Sequence, residues 1–182
     1  ECYKKAIELS KKDVDLHSPF LPAYDNLGSV LINLGRFQEA TATYDEVILM
    51  EPRYALAYRG KGIGFALSRL HKDLQAIECF DKALQLDPNN ADLYQNKGDS
   101  LILVRNFRRA IKYFDRAIAM NPNQILAHNN KGLALDETGK SQQAIESFEE
   151  VIRLAPLSVA GHYNKGVALY HVDECQQAIE SF

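Results

Sequence analysis

Residues 91–124 read ADLYQNKGDSLILVRNFRRAIKYFDRAIAMNPNQ, and this stretch decides the fold. Its first half places Leu93, Tyr94, Leu101 and Val104 on a helical stripe, with Lys97 and Gly98 between them. Asn106 then offers an N-cap just before a second stripe of Phe107, Ala110, Ile111, Phe114, Ala117 and Ile118. Asn121-Pro122 ends that stripe, because proline has no N–H for the helical ladder and disfavours helix in the residue before it. Asn123 or Gln124 opens the next unit. The stretch therefore predicts two antiparallel helices joined by a short turn.

The same pattern recurs outward in both directions. Gly28, Gly62, Gly98, Gly132 and Gly166 are separated by 34, 36, 34 and 34 residues. Ala40, Ala76, Ala110, Ala144 and Ala178 keep those intervals, as do Tyr44, Phe80, Phe114, Phe148 and Phe182. Pro52, Pro88, Pro122 and Pro156 fall in register. A fixed period of this length marks a stack of like units, each burying its apolar face against its neighbours. The period divides the chain into units 21–54, 55–90, 91–124 and 125–158, with a partial fifth over 159–182. Residues 1–11 look like the second helix of an earlier unit, and 12–20 form an irregular connector bracketed by Pro19 and Pro22. All of these units are expected to form one domain over 1–182. Unit 2 carries two extra residues between Gly62 and Ala76, which predicts a longer first helix or a bulge there.

Mid-helix glycine costs about 1 kcal/mol relative to alanine, so five in register imply a compensating close helix crossing. For Gly98 the expected partners are the small Ala110 and the ring of Phe114 or Tyr94.

Composition narrows the function. The chain is 46% hydrophobic and 25% charged, with a net charge of −3. Acids and bases are interspersed, which leaves no electrostatic footprint for nucleic acid. Neither a polybasic patch nor an apolar run suited to a membrane is present. Cys2, Cys79 and Cys175 are too widely spaced for a zinc or disulfide framework, so reduced thiols and a cytoplasmic setting are expected. No cofactor is predicted.

The residue pattern resembles the tetratricopeptide repeat family over nearly the whole chain. The family's first aromatic slot is filled by Tyr24, Tyr58, Tyr94, His128 and His162, and its later alanine slot by Val47, Ala83, Ala117 and Val151. The resemblance implies an all-α fold, a right-handed superhelical solenoid of antiparallel helix pairs whose first helices line the concave side. Lys61, Lys97, Lys131 and Lys165 depart from it, standing where leucine is usual. Their stems are expected to cover apolar surface while the amines reach water.

Signals for chemistry are weak. Gly60-Lys61-Gly62-Ile63-Gly64 lacks the strand a phosphate loop requires, and fits a glycine-rich helix crossing that is locally weak as helix. Asp13, Asp15 and His17 alternate in the connector without the rest of a metal-binding pattern. His128 and His162 replace tyrosine in register and are expected to be packing residues. No catalytic constellation is found, so the chain is not expected to be an enzyme.

Recognition is the better expectation. Two residues before each glycine stand Asn26, Gly60, Asn96, Asn130 and Asn164. Asparagine is a poor helix former, and an amide offers both donor and acceptor to a peptide group. The row resembles the asparagine ladders of the superhelical tetratricopeptide domain of O-linked N-acetylglucosamine transferase; its other reading is inter-repeat packing or simple repeat duplication. Asp25, Ser29, Arg59, Ile63, Gln95, Asp99, Asn129, Leu133, Asp136, Tyr163, Val167, Tyr170 and His171 are expected on the same inner faces. From these the peptide-binding set is Asn26, Asn96, Asn130, Asn164, Arg59, Asp99, Asp136, Tyr163 and Tyr170, suited to an extended ligand with basic and apolar positions. The carboxylate clamp known in the family is not supported: its lysine and asparagine slots hold Asp25 and Ser29, its third-unit basic slots hold Asp92 and Asn96, and an acidic terminus needs positive partners. The leading function is a protein-interaction scaffold for an extended peptide segment. Two alternatives stand beside it: a substrate-docking or regulatory part of a larger enzyme, and weak self-association through the open C-terminal repeat near Tyr163, Val167 and Tyr170.

Overall fold

The structure, a computed structural model, describes residue 5 and residues 21–68 and 72–182. Among the described residues it contains ten helices and no strand. They are α1 (Leu21–Asn33), α2 (Phe37–Met50), α3 (Ala55–Leu67), α4 (Asp73–Leu86), α5 (Ala91–Leu103), α6 (Phe107–Met120), α7 (Ile125–Glu137), α8 (Ser141–Leu154), α9 (Val159–His171) and α10 (Cys175–Ser181). The chain divides into two compact units, Glu1–Pro88 and Asn89–Phe182. The expected helix over 1–11 (apart from Lys5), the connector 12–20 and its Asp13, Asp15 and His17 lie outside the described residues.

Four of the helix pairs turn on three residues, of which the middle one is left-handed: Gly35 (φ 71°), Arg105 (φ 55°), Gly139 (φ 74°) and Asp173 (φ 62°). The next N–H then reaches back to a buried leucine carbonyl, Arg36 to Leu31 at 2.8 Å, Asn106 to Leu101 at 2.8 Å, Lys140 to Leu135 at 2.9 Å and Glu174 to Leu169 at 3.0 Å. That closes the first helix by satisfying one of its orphan carbonyls. Asn106 stands at the N-cap position as expected, yet its side chain makes no capping hydrogen bond among the described residues.

The extra residues of unit 2 do not lengthen its first helix. Helix α3 has 13 residues, like α1, α5, α7 and α9. The insertion falls between Leu67 and Asp73, where residues 69–71 lie outside the described ones. Two residues added within a helix would instead rotate its buried stripe by about 200°.

The glycine register is explained by aromatic rings. A Cβ on Gly98 would sit 2.5 Å from Phe114 Cε1, and on Gly132 2.5 Å from Phe148 Cε1. Of the expected partners of Gly98, the Phe114 ring is the nearest. Gly60 and Gly64 likewise belong to one continuous helix, not a loop, and press on α2 at Tyr44 and Thr41.

The polar tip of the first aromatic slot has the same task in three units. Tyr58 donates to the Pro52 carbonyl at 3.1 Å, and the Nε2 of His128 and of His162 each lie 2.9 Å from the carbonyls of Pro122 and Pro156. Only a protonated Nε2 can donate to a carbonyl, so this contact fixes the histidine tautomer. Histidine substitutes for tyrosine here because both carry a donor at the end of a flat ring. The two histidines are packing residues, as their register predicts.

The amines of the lysines before the glycines are held by partners on the second helices. Lys61 Nζ lies 2.6 Å from Asp45, Lys131 2.7 Å from Asp115 and Lys165 2.8 Å from Glu149. Each acid sits on the second helix of the preceding repeat, sixteen residues earlier. Lys97 is 2% exposed, donates to Tyr113 Oη at 2.7 Å and lies 4.2 Å over that ring.

Candidate functional site

In the unit Asn89–Phe182 the first helices α5, α7 and α9 approach one another closely, whereas the second helices do not among the described residues. The face of α5, α7 and α9 turned away from α6, α8 and α10 is therefore the inner face. The lysines at the pre-glycine slots point toward the second helices, so this face keeps its acids without them.

A row of polar side chains crosses it. Asn164 Nδ2 donates to Asn129 Oδ1 at 2.9 Å, Asn129 Nδ2 to Asn130 Oδ1 at 3.1 Å, and Asn130 Nδ2 to Asp99 Oδ1 at 2.7 Å. Gln95 Nε2 lies 3.5 Å from the other Asp99 oxygen. Burial pushes the Asp99 carboxyl above its ordinary range, while the hydrogen bonds from Asn130 and Gln95 oppose that shift. The asparagines at 130 and 164 thus each use one N–H to join neighbouring repeats.

A second cluster joins α7, α8 and α9. Ser141 Oγ donates to Asp136 Oδ1 at 2.6 Å, and His171 Nδ1 lies 3.0 Å from both Asp136 oxygens. The serine and the histidine both bond the carboxylate rather than each other, so this is not a nucleophilic relay. Tyr163 and Tyr170 stand 58% and 64% exposed on α9, and Leu133 is 39% exposed on α7. Asn96 is partly buried on α5, and its side chain joins no hydrogen bond among the described residues.

The other predicted residues sit in the unit Glu1–Pro88. Asn26 is exposed on α1. Arg59 is partly buried on α3; its charge pulls the Asp25 carboxyl down against the larger upward push of burial, and its Nε has no partner among the described residues. The slot that would continue the asparagine row holds Gly60, and the Tyr44 ring fills its space, so that a Cβ there would lie 2.1 Å from Cζ. Tyr44 is the single tyrosine in a slot otherwise filled by phenylalanine, and its hydroxyl donates to the Asp25 carbonyl at 3.4 Å.

Sequence reasoning placed Asn129 on the inner face without giving it a role, and missed Ser141. The adjacent pair Asn129-Asn130 was the available signal for the first. Among the described residues no group of three or more potential metal ligands converges, and no helix is long and apolar enough to cross a membrane.

Models of the tetratricopeptide repeat match residues 21–54, 62–90, 79–112, 96–149 and 129–182. The chain belongs to the tetratricopeptide repeat family. Its fold is accordingly an all-α tetratricopeptide solenoid. Among solved structures it is similar to YrrB, described as a TPR protein with an unusual peptide-binding site, at 27% identity and TM-score 0.76, over 100% of this chain and 89% of that one. It is also similar to MamA from Desulfovibrio magneticus RS-1, at 25% identity and TM-score 0.79, over 87% of this chain and 89% of that one. PilF of Pseudomonas aeruginosa shares the fold at 22% identity and TM-score 0.78, over 100% of this chain and 77% of that one. No curated protein matches the sequence significantly. These tetratricopeptide relatives support a protein-interaction scaffold.

Proposed function

We propose that the inner face of α5, α7 and α9 binds an extended segment of a partner protein, and that the chain itself is non-catalytic. The observation that carries this reading is the continuous row Asp99–Asn130–Asn129–Asn164, flanked by the exposed Leu133, Tyr163 and Tyr170. Amides in a row suit a peptide backbone, and exposed tyrosines give contact area with few rotamers to freeze. Asp99 and Asp136 favour basic positions in the segment, with aromatic or aliphatic residues toward α9. The peptide-binding site described for YrrB supports the same use of the fold. Asn26 and Arg59 would offer further contacts on the first unit. The free thiols of Cys79 and Cys175 suit a reducing, cytoplasmic setting.

The test is binding of the whole chain to an array of extended peptides, beside Asn96→Ala/Asn130→Ala/Asn164→Ala and Tyr163→Ala/Tyr170→Ala variants shown to be folded by circular dichroism. Loss of binding in both variants is expected. Binding that survives both sets of changes would place recognition elsewhere.

A second reading rests on a cavity of about 470 Å³ lined by Pro156, Leu157, Val159, His162, Tyr163, Glu180, Ser181 and Phe182. Leu157, Val159 and Phe182 are 94%, 83% and 67% exposed. In that reading a second copy of the chain covers them, and mass measured against concentration reports it.

A further inference from the structure

The asparagine row has a direction, and Asp99 imposes it. An ionised carboxylate only accepts hydrogen bonds, so Asn130 must turn its Nδ2 toward Asp99. Its Oδ1 then faces Asn129, which must answer with Nδ2, and Asn129 Oδ1 in turn receives Nδ2 of Asn164. Each amide orientation is set by the one before it, back to a single fixed charge. Reversing any amide would set two oxygens or two N–H groups against each other.

The open groups along the row are therefore unequal. A primary amide has two N–H donors and one carbonyl. Asn129 and Asn130 each use one N–H and their carbonyl within the row, leaving one N–H apiece among the described residues. Asn164 uses only one N–H, leaving a second N–H and a carbonyl that accepts nothing among the described residues. Chains of hydrogen bonds polarise one another, which strengthens the donors along the row and the acceptor at its end.

Resting on the peptide-binding reading above, we propose that Asp99 is a positioning residue for the groove: it orients the amide row so that, of the row's three asparagines, Asn164 alone meets a backbone peptide group with both donor and acceptor. Asn129 and Asn130 each donate a single N–H to a backbone carbonyl. The occupant is an extended protein segment that presents carbonyls along α7 and one backbone N–H at α9. The row is then a one-ended anchor rather than a series of equal two-point clamps. It gives the segment a register that a uniform ladder would not.

Two measurements test this. The first needs no ligand: side-chain amide signals of the 15N-labelled chain are compared between wild type and Asp99→Ala, with Asp99→Leu as a second variant should the first unfold. The signals of Asn130, Asn129 and Asn164 are all expected to move, although Asn164 does not touch Asp99. The movement at Asn164 is expected to vanish when Asn129→Ala is already in place. An Asn164 signal that ignores Asp99→Ala overturns the proposal.

The second measurement uses the best-binding array peptide, with single backbone amides replaced by esters to remove one N–H at a time. One ester position is expected to weaken binding on the order of 10-fold. That penalty is expected to disappear in Asn164→Ala and in Asp99→Ala. Penalties at positions one repeat apart, or a single penalty that survives Asp99→Ala, overturn the proposal. If no peptide binds, the groove reading fails, and Asn164's role as anchor with it, while the amide signals still decide whether Asp99 orients the row.

Discussion

Replacing Gly132 by alanine isolates the interaction that defines the repeat. In an ordinary exposed helix the change would stabilise by about 1 kcal/mol, since alanine is the better helix former. Here the added Cβ would lie 2.5, 2.7 and 2.9 Å from Cε1, Cζ and Cδ1 of Phe148. The ring is 1% exposed and belongs to a core with Leu135, Ala144, Ile145 and Leu169, so it cannot swing clear. Overpacking of a tight core costs roughly 1–3 kcal/mol, and a 2.5 Å approach to a ring that cannot move falls in the upper part of that range, about 2–3 kcal/mol; less the propensity gain, this leaves about 1–2 kcal/mol of net destabilisation. For a chain of this size that corresponds to roughly 2–8 °C in Tm. Gly64→Ala is the internal control. Its Cβ would lie 3.0 Å from the Thr41 Cγ2 methyl and 3.8 Å from the Phe37 carbonyl oxygen, so a small adjustment suffices. It is expected to be neutral or stabilising, by up to about 1 kcal/mol. Thermal and urea unfolding of wild type, Gly132→Ala, Gly64→Ala and Gly132→Ala/Phe148→Leu under one set of conditions would measure both effects. The double variant is expected to recover part of the loss. Gly132→Ala as stable as Gly64→Ala would refute the ring-packing account of the glycine register.

Three further expectations come from single sites. Burial pushes the Cys79 thiol up to about 11, whereas Cys175 is exposed, so iodoacetamide at pH 8 should modify Cys175 and leave Cys79 until the chain is unfolded, as read by peptide mass mapping; equal labelling of both in the native state would contradict it. Arg105 holds a left-handed φ of 55° where two other turns have glycine, so Arg105→Gly is expected to stabilise by about 0.5–1 kcal/mol after the entropy that glycine adds to the unfolded chain. Its exposed ion pair with Glu137 at 3.5 Å subtracts little, and a loss of stability on urea titration would count against the strain argument. The Lys131–Asp115 pair is 27% and 51% exposed at its two side chains, and a double-mutant cycle is expected to give a coupling below about 1 kcal/mol that falls with added salt. A larger, salt-insensitive coupling would show that the pair is shielded more than its exposure implies.

The amino-acid sequence by itself determined the period and the helix pairs. Those features are local: helical stripes, a proline that stops each second helix, and a register of glycine, alanine and aromatic residues that repeats unit by unit. It also placed Asn130, Asn164, Asp99 and Asp136 on one face, because positions along a helix fix which residues share a side. Tertiary structure alone decided what those residues do. Lysines set before the glycines turn out to bond acids sixteen residues back, since the stacked second helix brings that acid within 2.6–2.8 Å. Of the rings the sequence offered Gly98, Phe114 is the one that comes nearest, because crossing distance depends on how two helices settle against each other. The asparagines carry a direction because Asn130 meets the Asp99 carboxylate of the adjacent repeat, 31 residues away. No periodicity in one helix contains that contact; it exists only once repeats are stacked and the amides must choose which atom faces the charge.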